Sequence, residues 1–148
     1  MDSIWKKELN LEEMNRFTKN TIVENTGIVF IEKGVSYLKA SMPVDKRTRQ
    51  PLGILHGGAS AVLAETLGSM ASYMTLEEGC DSVGLELKAN HIKSAKSGYV
   101  TGVAEPVHLG KTTQIWDVKI KNEDERLVCI SRLTLLILNL YLRMIFQP

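Results

Sequence analysis

Two hydrophobic periods divide this chain. Leu11, Met14 and Phe17 recur at helical spacing behind Asn10 and Glu13, which form a capping-box pattern; a short amphipathic helix ending near Lys19 is predicted. Residues 26–42 read as two strands about a turn at Lys33-Gly34. Residues 43–51 are polar, basic and bracketed by prolines, so they form a loop. A helical period then runs from about Gly58 to Glu77, with Glu65 the only charged residue between Gly58 and Met74. Val62, Leu63, Thr66, Met70 and Met74 share one face. Ala61, Ala64, Gly68, Ser69 and Ser72 form a stripe of small side chains around Glu65 on the other. A helix this apolar has to be buried. Beyond an acidic turn the period becomes two, over residues 82–93, 98–108, 112–122 and 126–138. Val83, Leu85 and Leu87, and Gln114, Trp116, Val118 and Ile120, supply the alternating inward sets. One long helix followed by an antiparallel meander predicts an α+β domain, a curved sheet wrapped round a helix.

Composition narrows the function classes. The chain has 148 residues, 44% hydrophobic and 24% charged, which suits a single globular domain. Residues 1–140 are expected to form that domain and residues 141–148 a tail. A formal net charge of +1 argues against a nucleic-acid binder. Cys80 and Cys129 fit no metal spacing, and Cys129 in its apolar run reads as a core thiol. The acidic, polar N-terminus does not resemble a secretory signal. The most apolar stretch, residues 133–142, is interrupted by Thr134 and Asn139 and falls short of the ~20 residues of a spanning helix. A soluble cytoplasmic protein, without membrane or nucleic-acid partners, is the expectation.

Candidate chemistry gathers in residues 53–65, GILHGGASAVLAE. His56, Gly57 and Gly58 open the long helix, where bare backbone N–H groups and the helix dipole favour negative charge. Such donors polarise a carbonyl and stabilise the oxyanion formed when it is attacked. Gln50, just upstream, adds an amide donor. Gly57 and Glu65 are eight positions apart, which is ~12 Å along a helix. A general base works within ~3 Å of the atoms it serves, so Glu65 and Gly57 of one chain do not reach the same carbonyl. If both act on one substrate, Glu65 comes from a second copy of the chain.

At Gln50, residues 53–65 and Ala89-Asn90-His91, the chain resembles the hotdog-fold acyl-CoA thioesterases. Within them it is similar to the branch that carries its catalytic carboxylate on the central helix and serves menaquinone synthesis, enterobactin proofreading and phenylacetate breakdown. The resemblance covers roughly Ile4 to Leu140. It implies a hotdog fold, an antiparallel sheet around a long central helix, a homodimer with shared active sites that pairs into a homotetramer, and no metal or cofactor. It implies that Glu65 is the catalytic carboxylate and that Gln50, His56 and Gly57 surround the thioester carbonyl. By the same resemblance Gly84, His91, Ile92, Lys93 and Ser94, and His108, Leu109, Gly110, Lys111, Thr112 and Thr113, hold pantetheine and nucleotide, with Ser69 also against the substrate. The implied activity is hydrolysis of an aryl- or acyl-CoA thioester to free acid and CoA. The first candidate substrate is 1,4-dihydroxy-2-naphthoyl-CoA; a broad proofreading thioesterase and a non-catalytic acyl-CoA-binding protein are the alternatives.

Each residue also has a plainer reading. Glu65 is a lone solvated charge, His56 a capping or core histidine, Gly57-Gly58 a permissive helix entry, and Gln50 an ordinary loop amide. His91 continues the inward phase and reads equally as core or as ligand contact. Lys93, Lys96, Lys111 and Arg132 are cations that suit the CoA phosphates. Glu65 as general base on water and Glu65 as nucleophile through a mixed anhydride both remain open.

Overall fold

The structure is a computed structural model that describes residues 2–141. Its elements are α1 (Leu11–Phe17), α2 (Ile22–Asn25), β1 (Val29–Lys33), β2 (Leu38–Pro43), α3 (Gly57–Met74), β3 (Cys80–His91), β4 (Tyr99–Leu109), β5 (Thr113–Asn122) and β6 (Leu127–Asn139). The six strands make one antiparallel sheet in the order β1-β2-β4-β5-β6-β3, and α3 lies in its concave face. Trp116, Phe30, Met14, Leu63, Leu67, Leu133 and Leu135 are fully enclosed between helix and strands.

The N-terminal helix starts as its sequence predicts. Asn10 Oδ1 accepts the Glu13 N–H at 2.9 Å, and the Glu13 carboxylate accepts the Asn10 N–H at 2.9 Å. The Asn15 side chain then bonds both backbone groups of Phe30, at 3.0 and 2.8 Å, and ties α1 to β1. The apolar triple of α1 is not buried together, however. Met14 is buried while Phe17, at the last turn, is 64% exposed. The short α2, capped by the Thr21 hydroxyl, carries no apolar period and was not legible as a helix.

α3 ends at Met74 rather than Glu77, because the chain before α1 occupies its C-terminal carbonyls. The Lys6 and Lys7 N–H groups donate to Met74 O at 2.8 and 3.0 Å. Lys7 Nζ donates to the carbonyls of Tyr73, Leu76 and Glu77 at 3.2, 2.9 and 3.2 Å. A cation there also opposes the negative end of the helix dipole. The small side chains of α3 are used differently from the expected stripe. Ala64, Gly68 and Ser72 are buried against the chain's own sheet, and a Cβ on Gly68 would stand 2.6 Å from Leu133 Cδ2. Only Ala61 and Ser69 remain half-buried near Glu65, and Glu65 itself is exposed in the single chain.

β4, β5 and β6 form the predicted meander, but β3 does not join it next to β4. It crosses to the far edge and pairs with β6, with Leu87 opposite Leu133 and His91 opposite Cys129. A bulge between Gly84 and Glu86 breaks the alternation expected of Val83, Leu85 and Leu87. Gly84 and Leu87 face α3, whereas Val83 and Leu85 are 45% and 59% exposed. Cys129 is buried and Cys80 half-buried, both as free thiols. Leu140 N–H donates to Gly79 O at 2.9 Å; residues 142–148 of the expected tail lie outside the described residues.

Candidate active site

The loop before α3 is folded by its own backbone. Thr48, buried, donates its hydroxyl to Pro43 O at 2.6 Å, and Thr48 O accepts the His56 N–H at 2.8 Å. Gln50 N–H donates to Ile54 O and Gly53 N–H to Gln50 O, both at 2.9 Å. Gly53 closes this turn at φ +76°, a conformation that favours glycine. The Gln50 Oε1 atom accepts the Leu52 N–H at 2.7 Å, which orients the amide and leaves its NH₂ free to donate. On the same loop Arg47 binds the Asp45 carboxylate at 2.7 Å and, by that hydrogen bond above all, holds its pKa down to about 2.

His56 is the N-cap of α3. Its Nδ1 accepts the Gly58 N–H at 2.8 Å, so the ring proton sits on Nε2. The capping reading of His56 therefore holds, and it leaves Nε2–H as a donor at the same helix end. The Gly57 N–H has no partner among the described residues. A Cβ on Gly57 would meet His91 Nε2 at 2.7 Å, so the glycine lets the imidazole lie against the helix end. His91 is exposed there, which excludes the core reading. Gln50, Gly57, Ser60, His91, Lys93 and Ser94 line a cleft of about 290 Å³ at this end of α3.

Glu65 lines a different cleft, of about 560 Å³. Its carboxylate lies over Gly84, where a Cβ would clash with Oε1, and it has no hydrogen bond or ion pair among the described residues. Phe17, Phe30, Met70 and Tyr73 give this cleft apolar walls, and Thr66, Ser69, Asp81 and Ser82 add polar groups. Ser69 is thus beside Glu65 as expected. Phe17, Tyr73, Asp81 and Ser82 were missed: Phe17 reads only as part of the apolar period of α1, and the strand pattern carries no sign that the start of β3 lies beside α3.

The expected substrate residues fall into three groups. Ile92, Lys93 and Ser94 stand with His91 and Gln50 at the helix N-terminus. Gly84 stands with Glu65. Residues 108–113 form the β4–β5 turn, closed by Gly110 N–H on Thr113 O at 3.0 Å, and Thr112 O accepts the Ile137 N–H at 2.9 Å. Leu109, Gly110 and Lys111 line a third cavity beside Trp5 and Cys80, near the opposite end of α3. Arg132 is bound to the Asp117 carboxylate at 2.6 and 2.9 Å, so it is not a free cation for phosphate. Among the described residues no three His, Cys, Asp or Glu side chains group closely enough to hold a metal ion. No described helix is long and apolar enough to cross a membrane.

Comparison with known proteins identifies the family and the fold. Residues 52–129, more than half of the chain, match the model of the thioesterase superfamily. The chain is 50% identical over 135 residues to the proofreading thioesterase EntH of Cronobacter sakazakii, covering 91% of this chain and 98% of that one. It is 49% identical over 135 residues to the 1,4-dihydroxy-2-naphthoyl-CoA hydrolase of Escherichia coli, covering 91% and 99%. A crystal structure of a thioesterase from Haemophilus influenzae superposes with a TM-score of 0.91 at 47% identity, covering 93% and 96%. The chain belongs to the thioesterase superfamily: it has the hotdog fold and is a thioester hydrolase.

Proposed function

We propose that the protein hydrolyses aryl- or acyl-CoA thioesters to the free acid and CoA, with 1,4-dihydroxy-2-naphthoyl-CoA of menaquinone synthesis as the leading substrate. The observation that carries the mechanism is the unpartnered Glu65 carboxylate, two helical turns from the unpartnered Gly57 N–H and in a separate cleft. In this reading the thioester oxygen accepts from Gly57 N–H, and Gln50 and His56 orient the thioester and hold the loop. Glu65 then either takes a proton from the attacking water or itself attacks the carbonyl, expelling the CoA thiolate and forming an anhydride that water opens. Lys93, which lines the Gly57 cleft, is the cation this reading assigns to a CoA phosphate.

A dimer supplies what one chain lacks. β3 is an edge strand with two exposed apolar side chains, Val83 and Leu85, which invites a second copy to pair along it. His91 and Gly84 are about 20 Å apart along the strand. An antiparallel two-fold pairing centred between Leu87 and Lys88 would set His91 and Gly57 of one copy opposite Gly84 and Glu65 of the other. Each dimer then has two composite sites, and two dimers pair into a tetramer. The 50% identity to EntH supports a second reading, a proofreading thioesterase of broad aryl specificity on the same site.

The test is thiol release from a panel of aryl- and fatty-acyl-CoAs. Release from aryl-CoA by the native chain and its loss in Glu65→Gln are expected. Undiminished release by Glu65→Gln would sink the catalytic assignment. A single turnover in ¹⁸O-water and rapid-quench mass spectrometry then separate the two roles. Label in the Glu65 carboxylate or a trapped acylated Glu65 marks the anhydride route, and label only in the product acid with no acylated Glu65 marks the general base.

A further inference from the structure

The cleft that holds Glu65 has a second wall that the chemistry above does not use. α3 supplies one side through Glu65, Ser69 and Tyr73, a stripe four residues apart that runs ~12 Å from the carboxylate. The opposite side comes from Phe17 at the end of α1 and from Thr18, Thr21 and Val23 between α1 and β1. Phe17 is 64% exposed, yet it is not a loose surface ring. It sits two residues after Asn15, whose two hydrogen bonds to Phe30 clamp α1 to the sheet. The Thr18 hydroxyl donates to Asn15 O at 2.9 Å, and the Thr21 hydroxyl donates to Thr18 O. These bonds fix the chain on both sides of Phe17. The backbone that carries the ring is therefore fixed, and Phe17 lines the same cleft as Tyr73 and the buried Phe30 while leaving most of its apolar surface exposed.

We infer that Phe17 is the specificity-determining residue of this cleft and selects a planar aromatic acyl group over a straight aliphatic one. The inference rests on the reading that Glu65 marks the acyl end of the site. A flat ring entering beside Glu65 stacks against or edges onto Phe17 and Tyr73, a contact that an alkyl chain cannot reproduce. Its cleft volume of about 560 Å³ is in the range of small-molecule sites and admits a ring system of one or two rings. The residue acts on the bound acyl group and touches no reacting atom.

The experiment compares Phe17→Ala and Phe17→Tyr with the native protein on benzoyl-CoA and hexanoyl-CoA. Binding of S-phenacyl-CoA, a thioether that cannot be hydrolysed, is measured alongside. Phe17→Ala is expected to lower kcat/KM for benzoyl-CoA about tenfold and to weaken thioether binding by the same factor. Hexanoyl-CoA turnover should change less than threefold, about 0.6 kcal/mol, and Phe17→Tyr should restore the aryl preference. A parallel fall on both substrates, with an altered oligomeric state by light scattering, makes Phe17 an interface residue and overturns the inference. Unchanged thioether binding overturns it as well. If Glu65→Gln keeps full activity while Phe17→Ala still weakens the thioether, the catalytic reading fails and the assignment of the aryl wall stands.

Discussion

Replacing Gly84 by alanine should separate catalysis from stability at a single methyl group. Gly84 lies in β3 at the edge of the bulge and has no positive φ, so alanine is accommodated without backbone strain. Of the atoms its Cβ would meet, Leu133 Cδ1 is at an ordinary 3.6 Å, but Glu65 Oε1 is well inside van der Waals contact. That oxygen must retreat by about 1 Å to recover normal spacing. Because Glu65 is exposed and without a partner, the retreat costs the fold almost nothing. Alanine also relieves the entropy cost of glycine in a strand, a gain of roughly 0.5–1 kcal/mol. For a chain of this length that raises Tm by about 1–4 °C. A reacting group displaced by ~1 Å loses on the order of 10²-fold in rate. Steady-state thiol release should therefore show kcat down about a hundredfold while calorimetry shows an equal or higher Tm. A Gly84→Ala protein with kcat within twofold of the native value would refute the claim that this carboxylate position is what the reaction needs. A matching collapse of Tm would refute the claim that the glycine serves the carboxylate and not the sheet.

Two further outcomes follow from interactions outside the cleft. Lys7→Met removes three charge-assisted bonds to the carbonyls of Tyr73, Leu76 and Glu77, at and just beyond the end of α3, and leaves them under an apolar side chain, so urea unfolding should show a loss of about 2–3 kcal/mol with little change in kcat. Asp45 should titrate at about 2 by carboxyl-detected NMR, and Arg47→Gln should move it up toward 3.8. Its folded pKa is depressed, so its stabilising contribution is complete above the unfolded value and fades as pH falls through about 2; a midpoint near 4 in the native protein would contradict the ion pair.

Much of the fold was legible because the periods in the sequence are strong. The capping box of α1, the start of α3 and the positions of all six strands follow from residue spacing. What was not legible depends on contacts between distant segments. The place of β3 at the far edge rests on pairing with β6, and the Gly84–Glu86 bulge, invisible in the alternation, turns Val83 and Leu85 outward. α3 stops at Met74 because Lys6 and Lys7, from the start of the chain, take its carbonyls. Of the candidate site, helix rise alone separated Gly57 from Glu65 and so anticipated two clefts. The capping bond of His56, the seat of His91 on Gly57 and the wall formed by Phe17 needed the folded chain.

The central claim is that each active site is shared between two copies, and subunit mixing tests it most directly. Glu65→Gln and His56→Asn chains, the latter keeping a side chain that caps a helix, are unfolded together, refolded at equal amounts and assayed for thiol release. Random pairing makes about half the dimers mixed, each with one intact site of two, so activity should return to about a quarter of the native value while either parent alone stays inactive. A mixture that remains as inactive as its parents, with dimer exchange verified by mass, would mean that Glu65 and the His56–Gly57 end serve the same site within one chain.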